Sequence, residues 1–158
     1  MIFFHSRLSF RSRRRSGAAL VEFALVISIL LVVVFGIIDF SVYGSNSLRL
    51  SNAAREGARA AAVGKTVEEI QARATRFAAP LALDGASGSI DLRVSRDGGA
   101  NYNDTLTNNS SGTANAATAD QYVRVKLTAT NKSVTGALGI LFNRSITSQV
   151  VMRREGSG

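Results

Sequence analysis

The hydrophobic pattern of this chain passes through three regimes. From Phe23 to Ile38 no residue is charged, and only Ser28 and Gly36 interrupt a run of Leu, Val, Ile, Phe and Ala. Extended back to Ala18, the run makes 21 residues with a single charge, Glu22. At about 1.5 Å rise per residue that helix is roughly 31 Å long, close to a bilayer's hydrocarbon thickness. It is longer than the roughly 7–15 residues of a removable secretory segment. The run therefore predicts a membrane-spanning helix over 18–39. A buried core helix is the rival reading, but the polar second half of a 158-residue chain offers little protein to bury it.

Beyond Asp39 the pattern turns amphipathic. Leu50, Ala54, Ala58, Ala61 and Ala62 follow helical spacing, while Asn52, Arg55 and Arg59 share another face. No proline precedes Pro80, so one continuous helix from about Ala18 to Val63 is expected, with Gly36 and Gly44 as its weak points. Residues 40–64 are then its continuation outside the membrane. Its Ala/Gly face (Ala53, Ala54, Gly57, Ala58, Ala61, Ala62) suits close approach of a sheet or a second helix, although alanine's helix propensity gives the same composition. Arg55, Glu56 and Arg59 read as a solvated face with an i,i+3 ion pair. Gly64 is a helix stop, and Thr66-Val67-Glu68-Glu69 is a capping box. Val67, Ile70, Ala74, Phe77 and Leu81 then form the apolar stripe of a short core-facing helix that Pro80 ends.

After Pro80 the period shortens to two. Ile90–Val94 and Val123–Ala129 alternate cleanly between apolar and polar residues, and Ile146–Met152 does so less well. Strands with one wet face predict a small antiparallel sheet packed on the helices. Residues 98–120, rich in Gly, Asn, Ser, Thr and Ala, read as a long mobile loop. Residues 134–142 form a short apolar segment of unassigned type, expected to cover an edge of the sheet. The fold class is α+β: a long N-terminal helix, a short helix and an antiparallel sheet, with 65–158 as one small domain.

Charge refines the topology. Of 19 basic residues, five (Arg7, Arg11, Arg13, Arg14 and Arg15) precede the apolar run, with no acid among them. The fourteen that follow face eleven acids, which reduces the net charge from +8 to +3. The excess thus concerns membrane orientation and not nucleic acid: the leader, 1–17, stays in the cytoplasm and the domain lies outside. There is no cysteine, and the single histidine, His5, lies in the leader, so thiolate and Ser–His–Asp chemistry are not available to the domain. No Gly-rich phosphate loop occurs. Asp97-Gly98-Gly99 with Asn101, Asn103 and Asp104 lacks the closing glutamate of a calcium loop and reads as turn chemistry. No enzyme activity, cofactor or metal is expected.

Glu22 is the anomaly, because a carboxylate near the start of a span costs a few kcal/mol unless it has a partner or a function. It either sits shallowly among the headgroups beside Arg13–Arg15, or it pairs with a cation. Cleavage between Gly17 and Ala18 would create one, an α-amine at i,i+4 spacing from Glu22 or on a neighbouring helix.

An Arg-rich leader, a glycine and then Ala18-Ala19-Leu20-Val21-Glu22-Phe23 resembles the processing site of type IV prepilin-like class III signal sequences. Phe35-Gly36-Ile37-Ile38-Asp39-Phe40, followed by Asn52-Ala53-Ala54-Arg55-Glu56-Gly57-Ala58-Arg59, is similar to the TadE-like pseudopilins of the tight-adherence (Tad, or Flp) pilus. The resemblance covers roughly residues 13–64. It implies cleavage after Gly17 by prepilin peptidase, a charge-neutralising role for Glu22 beside Phe23, and lateral packing with pilin-like subunits as a homo- or hetero-oligomer. It also implies a possible partner contact at Arg55, Glu56, Gly57 and Arg59. The alternative is an uncleaved, signal-anchored binding or adhesion module. A secreted enzyme ranks last, since no A-x-A site follows the run and no catalytic set appears.

Overall fold

The computed structural model describes residues 14–83 and 89–156, with side chains from Gly17 onward. The leader before Arg14, His5 included, lies outside the described residues. Helix α1 runs from Arg14 to Ala62, 49 residues and about 74 Å at helical rise. It starts four residues earlier than expected, so Gly17 and Ala18 lie inside helical backbone rather than at its edge. It ends where Gly64 predicted. Lys65 N–H donates to the Ala60 carbonyl and Gly64 N–H to that of Ala61, both at 3.0 Å, with Gly64 at φ +90°. That is a Schellman closure, and it needs a residue that tolerates the left-handed region.

Three tertiary donors complete this terminus. The buried Asn115 Nδ2 donates to the carbonyls of Ala61 and Lys65, each at 2.9 Å. Arg154 Nη1 and the Glu155 amide both reach the Ala62 carbonyl, also at 2.9 Å. The carbonyls that any helix leaves unpaired at its end are thus met from the domain that follows.

Helix α2, Val67–Ala78, begins with the predicted capping box. Thr66 Oγ1 accepts from Glu69 N–H at 3.3 Å, and Glu69 Oε2 accepts from Thr66 N–H at 3.2 Å. Its buried residues are Ile70, Ala74 and Ala78. Phe77, expected on the core stripe, is 48% exposed. At four residues beyond Ala74, Ala78 holds the stripe's line, and the larger ring is left at its edge.

The sheet comprises β1 (Ile90–Ser95), β2 (Asp104–Thr105), β3 (Tyr122–Asn131) and β4 (Arg144–Arg153), antiparallel in the order β2-β1-β3-β4. The four-residue helix α3, Gly139–Phe142, lies in the β3–β4 connection. Register places Leu92 opposite Val125 and Val94 opposite Val123, and on the other side Val125 opposite Val150 and Ala129 opposite Ile146. One face therefore collects Leu92, Val94, Val123, Val125, Leu127, Ala129 and Ile146, all buried against Leu50, Ala53, Ala54, Ala58 and Ala61 of α1 and Ile70 and Ala74 of α2. Burying a side chain such as Leu127 contributes about 1.5–3 kcal/mol. β4 alternates poorly in sequence because Ser148 occupies an inward position opposite Leu127 while Val151 faces out, 42% exposed.

Residues 98–120, expected as one long loop, contain β2 and an antiparallel bridge between Asn108 and Asn115. Two of their apolar residues, Leu106 and Ala117, belong to the core, and the Leu106 amide donates to the Leu92 carbonyl at 3.0 Å.

Candidate functional site

The candidate residues fall on two halves of α1 with opposite surroundings. From Gly17 through Val34 every residue is exposed. Gly17 and Ala18 stand open in the first described turns, and a Cβ at Gly17 would meet nothing within 4 Å. Phe23 is 63% exposed, and Glu22, also exposed, has no ion-pair partner among the described residues. Ser28, the one hydroxyl in the run, donates to the Ala24 carbonyl at 2.7 Å, the i−4 bond that hides a hydroxyl in an apolar helix. This half is too apolar and too bare for water, and its composition and length suit a bilayer.

The junction between the halves is built on Asp39, which is 1% exposed. Its carboxylate accepts four hydrogen bonds from the β3–β4 connection. Ser133 Oγ and Thr135 Oγ1 donate to Oδ2, each at 2.7 Å, and the amides of Val134 and Thr135 donate to Oδ1 at 2.9 and 3.1 Å. A buried charge is tolerated when it is surrounded by donors in this way. Nearby, Asn46 Nδ2 donates to the Oδ1 of buried Asn131 at 2.7 Å, while Asn131 Nδ2 donates to the Phe142 carbonyl at 2.8 Å. Tyr43 and Phe142 pack with ring centroids 6.3 Å apart. Leu138 Cδ1 lies 3.3 Å from where a Gly36 Cβ would stand. The 134–142 segment, expected over a sheet edge, instead clamps the long helix at 36–43. In sequence Asp39 marked only the end of the uncharged run. The available signal was an acid with no nearby cation, matched much later by Ser133-Val134-Thr135.

On the second half, Arg55 and Arg59 are exposed, Glu56 is half-buried and Gly57 is buried. Among the described residues no ion pair joins Glu56 to Arg59. Glu56 instead lines an open groove between α1 and α2, together with Lys65, Glu69, Arg73 and Arg76. Lys65 and Glu69 form an exposed i,i+4 pair at 3.5 Å. Gly57 faces inward: a Cβ there would lie 3.3 Å from Val125 Cγ1 and 3.5 Å from Ala74 Cβ. The family-like motif thus combines an inward contact at Gly57 with outward guanidinium groups at Arg55 and Arg59.

Elsewhere polar side chains order turns and helix starts. Asp97 accepts from Ser95 Oγ at 2.6 Å and from the Asn101 amide and side chain at 2.9 and 2.7 Å, which holds its carboxyl down at about 2. The donors favour the charged form. Asn108 similarly holds the Glu68 carboxyl below its ordinary range through a 2.8 Å bond. Asp97 closes the Gly98–Gly99 turn, as its surroundings in the sequence predicted.

A bare apolar half-helix, long and apolar enough to cross a membrane, continues into one that carries a small antiparallel sheet, in an α+β fold. The family model described as TadE-like protein matches residues 17–59. That match agrees with the resemblance read from the sequence over the same stretch. No curated protein and no solved structure matches the chain.

Proposed function

We propose that the chain is a minor pilin or pseudopilin that takes part in assembling a Tad/Flp-type pilus or related secretion machine. The observation that carries this reading is the division of α1 within its TadE-like segment: exposed from Gly17 to Val34 and buried in the domain from Leu50. The basic leader remains in the cytoplasm and the domain emerges outside the inner membrane. Prepilin peptidase then hydrolyses the Gly17–Ala18 bond. Water adds across the peptide, leaving a carboxylate on Gly17 and an ammonium on Ala18. That ammonium neutralises Glu22, on the same helix or on a neighbour, while the exposed apolar half packs laterally with other pilin-like helices. Glu22, with no ion-pair partner among the described residues, is free for such a pairing. The exposure of Arg55 and Arg59 supports a partner contact there. The role is structural rather than catalytic.

The test is the N-terminal residue of membrane-extracted protein, by intact mass or N-terminal sequencing, with and without the peptidase. A chain that begins at Ala18 only when the peptidase is present supports the pilin-like pathway. Retention of Arg13–Arg15 in both cases overturns it in favour of a permanently signal-anchored binding module.

A further inference from the structure

The β3–β4 connection exposes three large apolar side chains where the domain meets the span: Val134 at 66%, Ile140 at 98% and Leu141 at 60%. No fold requirement explains them, since the α3 turn has no buried residue. The connection is held at a fixed height on α1 by the four bonds to Asp39 and by Leu138 against Gly36. Gly36 lies three residues, or about 4.5 Å, back toward the membrane from Asp39. Ile37 and Phe40, 64% and 66% exposed, join this tip to the bare apolar half of the helix.

Two further features match the tip to a membrane surface. Exposed Lys132 and Arg144 bracket it, with no acid between them in sequence, and the one nearby acid, Asp39, is consumed by its four donors. The backbone is also prepared for a poorly hydrated setting: of the amides from Ser133 to Asn143, only those of Leu138 and Ile140 have no partner among the described residues. Apolar side chains, flanking cations and a self-satisfied backbone are what an interfacial segment requires.

We infer that residues 134–141 are a second membrane contact, which dips Val134, Ile140 and Leu141 into the outer interface of the same bilayer while Lys132 and Arg144 face lipid phosphates. This rests on α1 spanning that bilayer. The contact fixes the tilt and rotation of the domain over the membrane, because a single helix leaves it free to swing whereas a helix and a tip define a plane.

The chain has no tryptophan, so single reporters can be read without background. The full chain is reconstituted in phosphatidylethanolamine/phosphatidylglycerol vesicles, with and without brominated acyl chains, as Ile140→Trp, Leu25→Trp in mid-span, and Ser111→Trp on an exposed turn of the domain. The expected result is quenching and blue-shifted emission for Leu25→Trp and Ile140→Trp, with wet, unquenched emission for Ser111→Trp. Quenching at Leu25 with wet emission at Ile140 overturns the tip contact and leaves the span intact. Loss of quenching at both overturns the span reading and the tip contact together. As a second measurement, Ile140→Cys in the cysteine-free chain reports a protein occupant: efficient disulfide dimers would assign the tip to a second copy and overturn the lipid contact, whereas the expected product is monomeric.

Discussion

Gly57 provides the sharpest separation of packing from partner contact within the TadE-like segment, because its neighbours Arg55 and Arg59 point the other way. A leucine there must place its Cβ 3.3 Å from Val125 Cγ1 and 3.5 Å from Ala74 Cβ, and add three further carbons at a buried position. Overpacking by one or two carbons costs about 1–3 kcal/mol, so this larger insertion falls at or above the upper end. Leaving glycine for a helix former returns about 1 kcal/mol. The net expectation for Gly57→Leu is a loss of about 2 kcal/mol, a fall in unfolding midpoint on the order of 5–10 °C for a domain of this size. Gly57→Ala sets the same propensity gain against a single tight contact and should stay within about 1 kcal/mol of the parent. Gly44→Ala, in the same helix with nothing within 4 Å of its Cβ, should gain up to about 1 kcal/mol. Arg55→Ala with Arg59→Ala should lie within about 0.5 kcal/mol per site. The assay is thermal and denaturant unfolding of the full chain in detergent, followed by circular dichroism. If Gly57→Leu unfolds with the parent, α1 does not rest on β3 and α2 as described.

Asn115→Ala removes both side-chain bonds to the Ala61 and Lys65 carbonyls and should cost about 1–3 kcal/mol in denaturant unfolding, with faster amide exchange in the last turn of α1. Asp97 should titrate at about 2 by carboxyl-carbon NMR rather than at its ordinary 3.8. Because its folded value is depressed, its contribution is present above about 3.8 and lost as pH falls through about 2, and Ser95→Ala should move the midpoint upward. Glu22→Ala should leave membrane insertion intact and abolish pilus assembly; normal pili from that strain would remove the charge-pairing role.

The parts of the fold legible in sequence are those whose cause is local. The unbroken long helix, the capping box at Thr66 and the stop at Gly64 each follow from the local run of residues, and the structure reproduces them. The strands were legible where one face is buried without exception, as in β3, and blurred in β4 where Ser148 faces inward. The illegible parts depend on residues far apart in the chain. Asp39 meets partners 94 to 96 positions away, and Asn115 reaches the end of α1 from 50 to 54 positions away. Leu106 and Ala117 sit in a Gly/Asn/Ser-rich stretch whose composition resembles a loop, yet both join the core. Phe77 misled because helical spacing admits either residue at a stripe's edge, and packing chose the smaller Ala78.

The position of Asp39 also explains why one helix can serve two environments. A span that ends simply by becoming polar leaves the following turns to swing free, and a domain hung from residue 50 onward would then transmit no defined orientation to the membrane. Here the first acid after the uncharged run is also the acceptor for the β3–β4 connection, and Tyr43 and Asn46 extend the attachment by about one and two further turns. The domain therefore grips α1 directly where its bare apolar half ends. In a laterally packed assembly, a shift or rotation at the exposed apolar half would be delivered to the sheet through this rigid joint rather than lost in a linker. Loosening the joint with Asp39→Ala should leave the span and the buried face at Leu50–Ala62 in place and speed amide exchange at Val134 and Thr135 first. If exchange there stays as slow as in the parent, the carboxylate is not what holds the two halves in register.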